Sequence, residues 1–145
     1  MNEKKACHYF TNGYLCAESV LLAIAESTGM NNPCIPSVTT AFCSGTSRTK
    51  GVCGALQGAI LAVSLTHGRN SPEHKVDDCY SLVQKLTEHF NERNESINCF
   101  DITTCDLSTT QGQKYFQENR VKQSKCLPLV EDITDFTINL LHKKA

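Results

Sequence analysis

The sequence lacks any long apolar run. No stretch of its 145 residues approaches the ~18 to 20 apolar residues that a membrane-spanning helix needs. Its first ten residues, MNEKKACHYF, contain no apolar segment of the kind found in a secretory signal peptide. We therefore expect a protein that does not insert into a membrane and that resides in the cytoplasm.

An excess of charge of either sign is also missing. Lys and Arg number 14 and Asp and Glu number 15, which gives a formal net charge of −1. Binding to nucleic acid or to an anionic membrane depends on a basic surface. The composition therefore excludes a polyanion as the expected partner, and it does not identify a redox partner protein.

Short cysteine motifs are a third absence. No C-x-x-C pair occurs, which removes the local signature of thioredoxin-like redox proteins, zinc ribbons and covalent c-type haem attachment. Neither an acyl-transfer motif nor a glycine-rich phosphate loop is present to mark the substrate site of an enzyme. Any ligands of a metal must therefore be brought together by the fold.

Strand patterns are nearly absent, whereas helical periodicity recurs. The spacing predicts an all-α protein, a single-domain helical bundle of about five to seven helices over residues 1–145. Ser71-Pro72-Glu73 is predicted to begin a long helix with Cys79 and Tyr80 on its apolar face, and Ser124 is predicted to cap the last helix. The other predicted segments are a helix from about Tyr14 to Gly29, a short helix from Val38 to Phe42, a polar loop from Ser44 to Gly51, a buried helix from Cys53 to about Thr66 and a helix from Gln111 to about Asn119.

Cysteine, in contrast, is abundant, with nine residues in the chain. In a reducing compartment a dense set of cysteines favours metal binding or redox chemistry over a disulfide framework. The odd count also argues against a scaffold in which every cysteine is paired.

Four of the cysteines are predicted at helix starts, namely Cys16, Cys53, Cys99 and Cys126. There the backbone N–H groups and the helix dipole stabilise a thiolate and lower its pKa. Thiolates that are brought together repel one another, so the set makes chemical sense when a cation neutralises it. The alternative for each is that it serves as a small hydrophobic side chain of the core, which is the role predicted for Cys79.

Two glycines mark one face of the predicted buried helix. Gly54 and Gly58 form G-x-x-x-G beside Cys53, and each glycine inside a helix costs ~1 kcal/mol relative to alanine. Close approach of a neighbour is the expected compensation. That neighbour is either a cofactor held by Cys53, another helix, or the same face of a second subunit in a homodimer.

The residues that carry these features resemble a known family. The segments NGYLCAESVLLA, KGVCGALQGAILAVSL, INCFDI and CLPLVEDITD together are similar to the family of redox-active proteins named for cysteines around a CGAxxG motif. The resemblance covers about residues 5 to 140. Carried over one at a time, the cysteines of the family fall on Cys16, Cys53, Cys99 and Cys126.

The resemblance also implies a cofactor. The family is similar to the cluster-bearing part of the split-Soret cytochromes, which implies an iron-sulfur cluster. The chain lacks C-x-x-C-H, so no haem is implied. Cys105 lies close enough in sequence to Cys99 to compete with it as a ligand. The roles of three further cysteines stay open: Cys7, Cys34 and Cys43.

Our leading hypothesis is a small redox protein that binds an iron-sulfur cluster, most simply [2Fe-2S], through those four cysteines and transfers single electrons. One alternative is a metal-free protein in which two of the thiols cycle to a disulfide with a partner reductase. Another is a module with structural zinc, or a pure interaction module.

Overall fold

A computed structural model describes residues 5–144 of the chain. Eight α-helices occur in these residues, slightly more than the five to seven predicted, and the all-α class is confirmed. No helix between residues 5 and 144 is both long enough and apolar enough to span a membrane. In chain order the elements are α1 (Lys5–Thr11), α2 (Cys16–Thr28), a 3-10 helix (Ser37–Phe42), α3 (Cys43–Arg48), α4 (Gly54–His67), α5 (Asp77–Asn94), α6 (Cys99–Thr103), α7 (Thr110–Glu118), a π-helical turn (Lys122–Cys126) and α8 (Leu127–Lys144).

The core lies where α2, α4, α5 and α8 pack against one another. Fully burying one large aliphatic or aromatic side chain stabilises the fold by ~1.5 to 3 kcal/mol, and each of these helices contributes such side chains. The core side chains with at most 1% exposure include Leu21, Ile24, Leu56, Val63, Leu82, Leu86, Phe90, Val130 and Ile133.

The start and end of α2 follow from local chemistry. The Glu18 carboxylate accepts a hydrogen bond of 2.9 Å from the backbone N–H of Leu15, which satisfies a donor at the start of the helix. Gly29 ends the helix in the left-handed conformation, with φ of 71°. The predicted helix between Tyr14 and Gly29 is therefore confirmed.

The predicted start of α5 is wrong. The helix begins at Asp77, and Ser71 to His74 form a turn in which the His74 N–H donates to the Ser71 carbonyl at 3.2 Å. Tyr80 is 59% exposed, so the apolar face was also misplaced at this residue. The reason is that side chains between Ser71 and Asp77 have no core surface to cover, and burial begins only one turn into the helix.

The start of the last helix is displaced as well. Ser124 lies inside the π-helical turn and caps nothing, because the helical backbone already runs from Val121 through this turn into α8. Cys126 is the last residue of the π-helical turn. The prediction that Cys126 sits in the first turn of a helix is therefore wrong.

The segment α3 is left-handed after its first residue, Cys43, and forms a left-handed turn where a polar loop was predicted from Ser44 to Gly51. The φ angles of Ser44, Gly45, Thr46 and Ser47 are 57°, 66°, 58° and 57°, and Arg48 follows at 66°. Each left-handed residue other than glycine costs roughly 1 to 2 kcal/mol. Hydrogen bonds of this segment with its surroundings, described below, must offset that strain.

Candidate cysteine site

The four cysteines singled out in the sequence line one cavity of about 190 Å³. They come from four separate parts of the chain: Cys16 begins α2, Cys53 precedes α4, Cys99 begins α6 and Cys126 ends the π-helical turn. The remaining lining is mostly apolar, so these thiols face one space from which bulk water is largely excluded. The apolar lining residues are Phe10, Leu15, Ile102, Leu107, Phe116, Leu129 and Val130.

Gly54 lines this cavity and lies against Cys16. A Cβ atom added at Gly54 would overlap the Cys16 sulfur, and it would lie 3.1 Å from the Cys43 Cα and from the Phe42 carbonyl oxygen. The absence of a side chain at this position therefore makes room for a cysteine of the site.

Gly58 serves helix packing. A Cβ atom at Gly58 would lie 2.6 Å from the Ala17 carbonyl oxygen and 3.2 Å from the Val20 Cβ. Gly58 is thus the point at which α4 approaches α2, and it is absent from the lining of the cavity in the described chain. Of the three neighbours considered for G-x-x-x-G, another helix is the one found at Gly58.

A short backbone bridge places Cys53 beside Cys99. The N–H of Cys53 donates to the Ile97 carbonyl at 2.7 Å, and the N–H of Cys99 donates to the Gly51 carbonyl at 2.9 Å. These bonds flank an isolated antiparallel bridge between Val52 and Asn98. The sequence carried no pattern for this pairing, since a single bridge has no alternation to detect.

The left-handed turn packs closely against Cys99 through Gly45. A Cβ atom at Gly45 would lie 2.6 Å from the Cys99 Cβ and 3.4 Å from its sulfur. The Gly51 N–H donates to the Gly45 carbonyl at 2.8 Å, and the Ser47 hydroxyl donates to the Ala41 carbonyl at 2.7 Å. Strained backbone of this kind clusters at functional sites. The sequence gives little indication of this turn, because an uninterrupted polar segment around Gly45 is its sole signal.

The π-helical turn carries Lys122 into the cavity with Cys126. The Lys122 ammonium donates to the Phe10 carbonyl at 2.7 Å and lies 4.3 Å from the centre of the Phe10 ring. Single π-helical turns are rare and frequently mark functional sites. Lys122, which the sequence did not single out, supplies the only ammonium group among the described residues that line this cavity.

Burial controls the protonation of the thiols. Desolvation is the largest effect on Cys53 and raises its pKa from 9.0 to about 12, although the N–H groups of Ala55 and Leu56 lower it. Desolvation likewise raises the pKa of Cys126 to about 12 and raises the pKa of Cys99. The lowered pKa values predicted at these cysteines are therefore wrong for the polypeptide alone. The helix-start donors do exist at Cys53, but burial outweighs them.

The other cysteines lie outside the cavity. Cys105 is 3% exposed, and its charge acts on both Cys99 and Cys126, while its thiol donates to the Thr103 carbonyl at 3.3 Å. Cys79 packs against the core from α5, as predicted. The three left open are Cys7, whose thiol donates to the Leu127 carbonyl at 3.6 Å, Cys34, which is exposed, and Cys43, which is 2% exposed.

Within residues 5–144, no group of three or more His, Cys, Asp or Glu side chains has an arrangement that would hold a metal ion. The sulfurs surround a cavity instead of converging on one point. The donor set still suits a soft, thiolate-ligated group, since four cysteines match the ligand requirement of a [2Fe-2S] or [4Fe-4S] cluster.

Comparison with known proteins identifies the family. Residues 14–140 match the family described as "Putative redox-active protein (C_GCAxxG_C_C)". The chain belongs to this family. Its motif runs Cys53-Gly54-Ala55-Leu56-Gln57-Gly58, so the first two letters stand in the opposite order to those in the family label.

A relative from an archaeon shares much of the chain. An uncharacterized protein of Archaeoglobus fulgidus is 26% identical over 136 residues, which covers 87% of this chain and 83% of the relative. No solved structure matches the chain significantly. The family description supports a redox role for the chain.

Proposed function

We propose that the protein binds an iron-sulfur cluster, most simply [2Fe-2S], through Cys16, Cys53, Cys99 and Cys126, and that it transfers single electrons with a redox partner in the cytoplasm. The observation that carries this proposal is the convergence of these four cysteines, from four separate elements, on one cavity. Membership of a family described as redox-active supports it.

The fit of such a group rests on the donor set and on the space around it. The cavity of about 190 Å³ far exceeds the ~15 Å³ that one water needs. The absence of a side chain at Gly54 and at Gly45 leaves room for Cys16 and Cys99, because a Cβ atom at either glycine would clash with the neighbouring cysteine. A cluster held by these residues would supply reversible one-electron chemistry.

The residues of the chain have three further tasks in this proposal. The thiols of Cys53, Cys99 and Cys126 must release their protons when a cation replaces them, because burial keeps these groups neutral. The apolar lining excludes water. Lys122 contributes a positive charge that partly balances the thiolates.

Metal content of protein prepared without oxygen tests the proposal. We expect about two iron and two sulfide per chain, with visible absorption that bleaches on reduction. Cys99→Ser should abolish both iron and colour, and the matched variant Cys79→Ser should retain them because Cys79 lies on α5 outside the cavity.

Two results would contradict the proposal. Colourless protein without iron after anaerobic reconstitution would remove it, and stoichiometric zinc without any redox response would favour the structural zinc alternative. Loss of iron in Cys79→Ser with retention in Cys99→Ser would overturn the assignment of ligands.

A further inference from the structure

Cys43 is a buried nucleophilic side chain that the proposed function does not use. It begins α3 and is 2% exposed. Its thiol donates to the Thr39 carbonyl at 3.6 Å, and the backbone N–H groups of Ala17 and Glu18 also hydrogen-bond to its side chain. These contacts hold the Cys43 side chain against the first turn of α2, which Cys16 begins.

Cys16 provides that sulfur. One carbon atom placed at Gly54 would overlap the Cys16 sulfur and at the same time lie 3.1 Å from the Cys43 Cα, so the two cysteines meet across Gly54. The side chains are also hydrogen-bonded to each other, and this bond is the largest of the effects that raise the pKa of Cys43. Cys99, Cys105 and Cys126 influence one another only through charge.

We propose that Cys16 and Cys43 form a reversible disulfide when a peroxide oxidises the metal-free protein. The bond removes Cys16 from the cavity, and oxidation therefore blocks the loading of the cluster. The disulfide itself is independent of the proposed function, whereas the block on loading rests on it.

The different exposure of the two thiols sets the order of the steps. Cys16 is partly exposed and lines the cavity, while Cys43 is buried and does not line it. The Cys16 sulfur attacks one peroxide oxygen, the O–O bond breaks, and water leaves while Cys16 becomes a sulfenic acid. The Cys43 sulfur then attacks the Cys16 sulfur, the S–S bond forms and a second water leaves.

This sequence balances. Two thiol hydrogens end in the two waters, and the two electrons that the sulfurs give up reduce the peroxide. A dithiol reductant returns both thiols by exchange through a mixed disulfide. Gly54 leaves room for Cys16 beside Cys43, because a Cβ atom there would overlap the Cys16 sulfur and lie 3.1 Å from the Cys43 Cα.

Thiol counting and peptide mapping on the full metal-free chain test the disulfide. After treatment with one equivalent of hydrogen peroxide we expect free thiols to fall from nine to seven, with a cross-linked peptide joining Cys16 to Cys43 and full recovery after dithiothreitol. Cys43→Ala should lose at most one thiol under the same treatment, as the Cys16 sulfenic acid, and should give no cross-linked peptide at Cys16. The control Cys79→Ala should lose two.

Unchanged thiol counts in the wild type, a map that joins other cysteines, or loss of two thiols in Cys43→Ala would overturn the disulfide. The wild-type map needs no variant, so poor folding of Cys43→Ala cannot obscure the result.

Iron uptake tests the block on loading. After treatment with arsenite, which reduces sulfenic acids but not disulfides, oxidised wild type should take up at least tenfold less iron than reduced wild type during reconstitution. Oxidised and reduced Cys43→Ala should then take up equal amounts. Equal uptake by oxidised and reduced wild type would overturn the block. If reduced wild type takes up no iron at all, the proposed function fails, and the peptide map still decides the disulfide.

Discussion

Replacing Gly54 with alanine adds one methyl group at the meeting point of Cys16 and Cys43. The new carbon would overlap the Cys16 sulfur and lie 3.1 Å from the Cys43 Cα. The matched change Gly58→Ala, one turn further along α4, brings its methyl group to 2.6 Å from the Ala17 carbonyl oxygen. The two variants add the same atom to the same helix, but they press on different neighbours.

The effect of each variant on stability depends on whether the contacted atoms can move away from the added methyl group. Overpacking costs ~1 to 3 kcal/mol, and the higher helix propensity of alanine returns ~1 kcal/mol in a helix interior. At Gly58 the neighbour is backbone of α2, which cannot rotate away, so we expect overpacking in the upper part of that range, ~2 to 3 kcal/mol. The net loss is then about 1 to 2 kcal/mol, with a fall in Tm of about 2 to 8 °C. At Gly54 the nearest atom is a cysteine sulfur, which can turn aside, so the loss should be smaller.

The loss of bound iron should be larger in Gly54→Ala than in Gly58→Ala, which is the reverse of the order expected for stability. The sulfur that turns aside in Gly54→Ala belongs to Cys16, so we expect most of the bound iron to be lost although the apo protein melts close to wild type. Gly58→Ala should melt earlier and keep its iron at temperatures where it is folded.

Thermal melts of apo protein and iron assays after anaerobic reconstitution make both measurements. Full iron in Gly54→Ala, or equal iron loss in both variants at the same folded fraction, would refute the reasoning. Either result would mean that the glycines of the CGAxxG motif serve helix packing and not cofactor binding. The clash with Cys16 already exists without a cofactor, so the apo protein must be measured first.

Further predictions concern the core, the pH and the charge of the cavity. Cys79→Ala should cost ~1 kcal/mol through a small void, measured by urea unfolding, and a loss of iron in this variant would contradict its role in the core. The pKa of Cys53 rises from 9.0 to about 12 on folding, so the unfolded chain loses this proton first. The stabilisation that the Cys53 thiol gives the apo protein is therefore fully present below pH ~9 and is lost between about pH 9 and 12. The urea midpoint should decrease over this range, and it should decrease less steeply in Cys53→Ala. A constant midpoint in the wild type would contradict this prediction. Lys122→Met should make the cluster harder to reduce, because a positive charge at the cavity stabilises an added electron; an unchanged potential in a spectroelectrochemical titration would exclude this role.

Helices with a strong apolar period were the most predictable part of the fold. The period through Val20, Leu21 and Ile24 placed α2, because burial of such a face is encoded in the spacing itself. Cap signals were less reliable. Ser71 and Ser124 are both good caps by residue type, yet Ser71 lies in a turn and Ser124 within a π-helical turn, since the helix ends were decided by where core contacts begin.

The four cysteines of the site could be selected from the sequence. How the fold brings them to one cavity could not be predicted from it. Cys53 and Cys99 meet through one backbone bridge, and the left-handed turn at Gly45 closes against Cys99. Such features depend on contacts between segments more than forty residues apart, for which local patterns carry no signal. The partner of Cys16, namely Cys43, lies 27 positions away and was equally invisible.

The sequence by itself determined the helical class, the line of small residues on α4, and the local backbone donors that approach Cys53 at the start of that helix. Only the tertiary structure decided how the thiols behave. A helix start stabilises a negative charge by ~0.3 to 1 kcal/mol, whereas the rise of the Cys53 pKa to about 12 corresponds to roughly 4 kcal/mol in the other direction. Desolvation comes from every neighbour that the complete fold places around the sulfur, and no short stretch of sequence contains those neighbours.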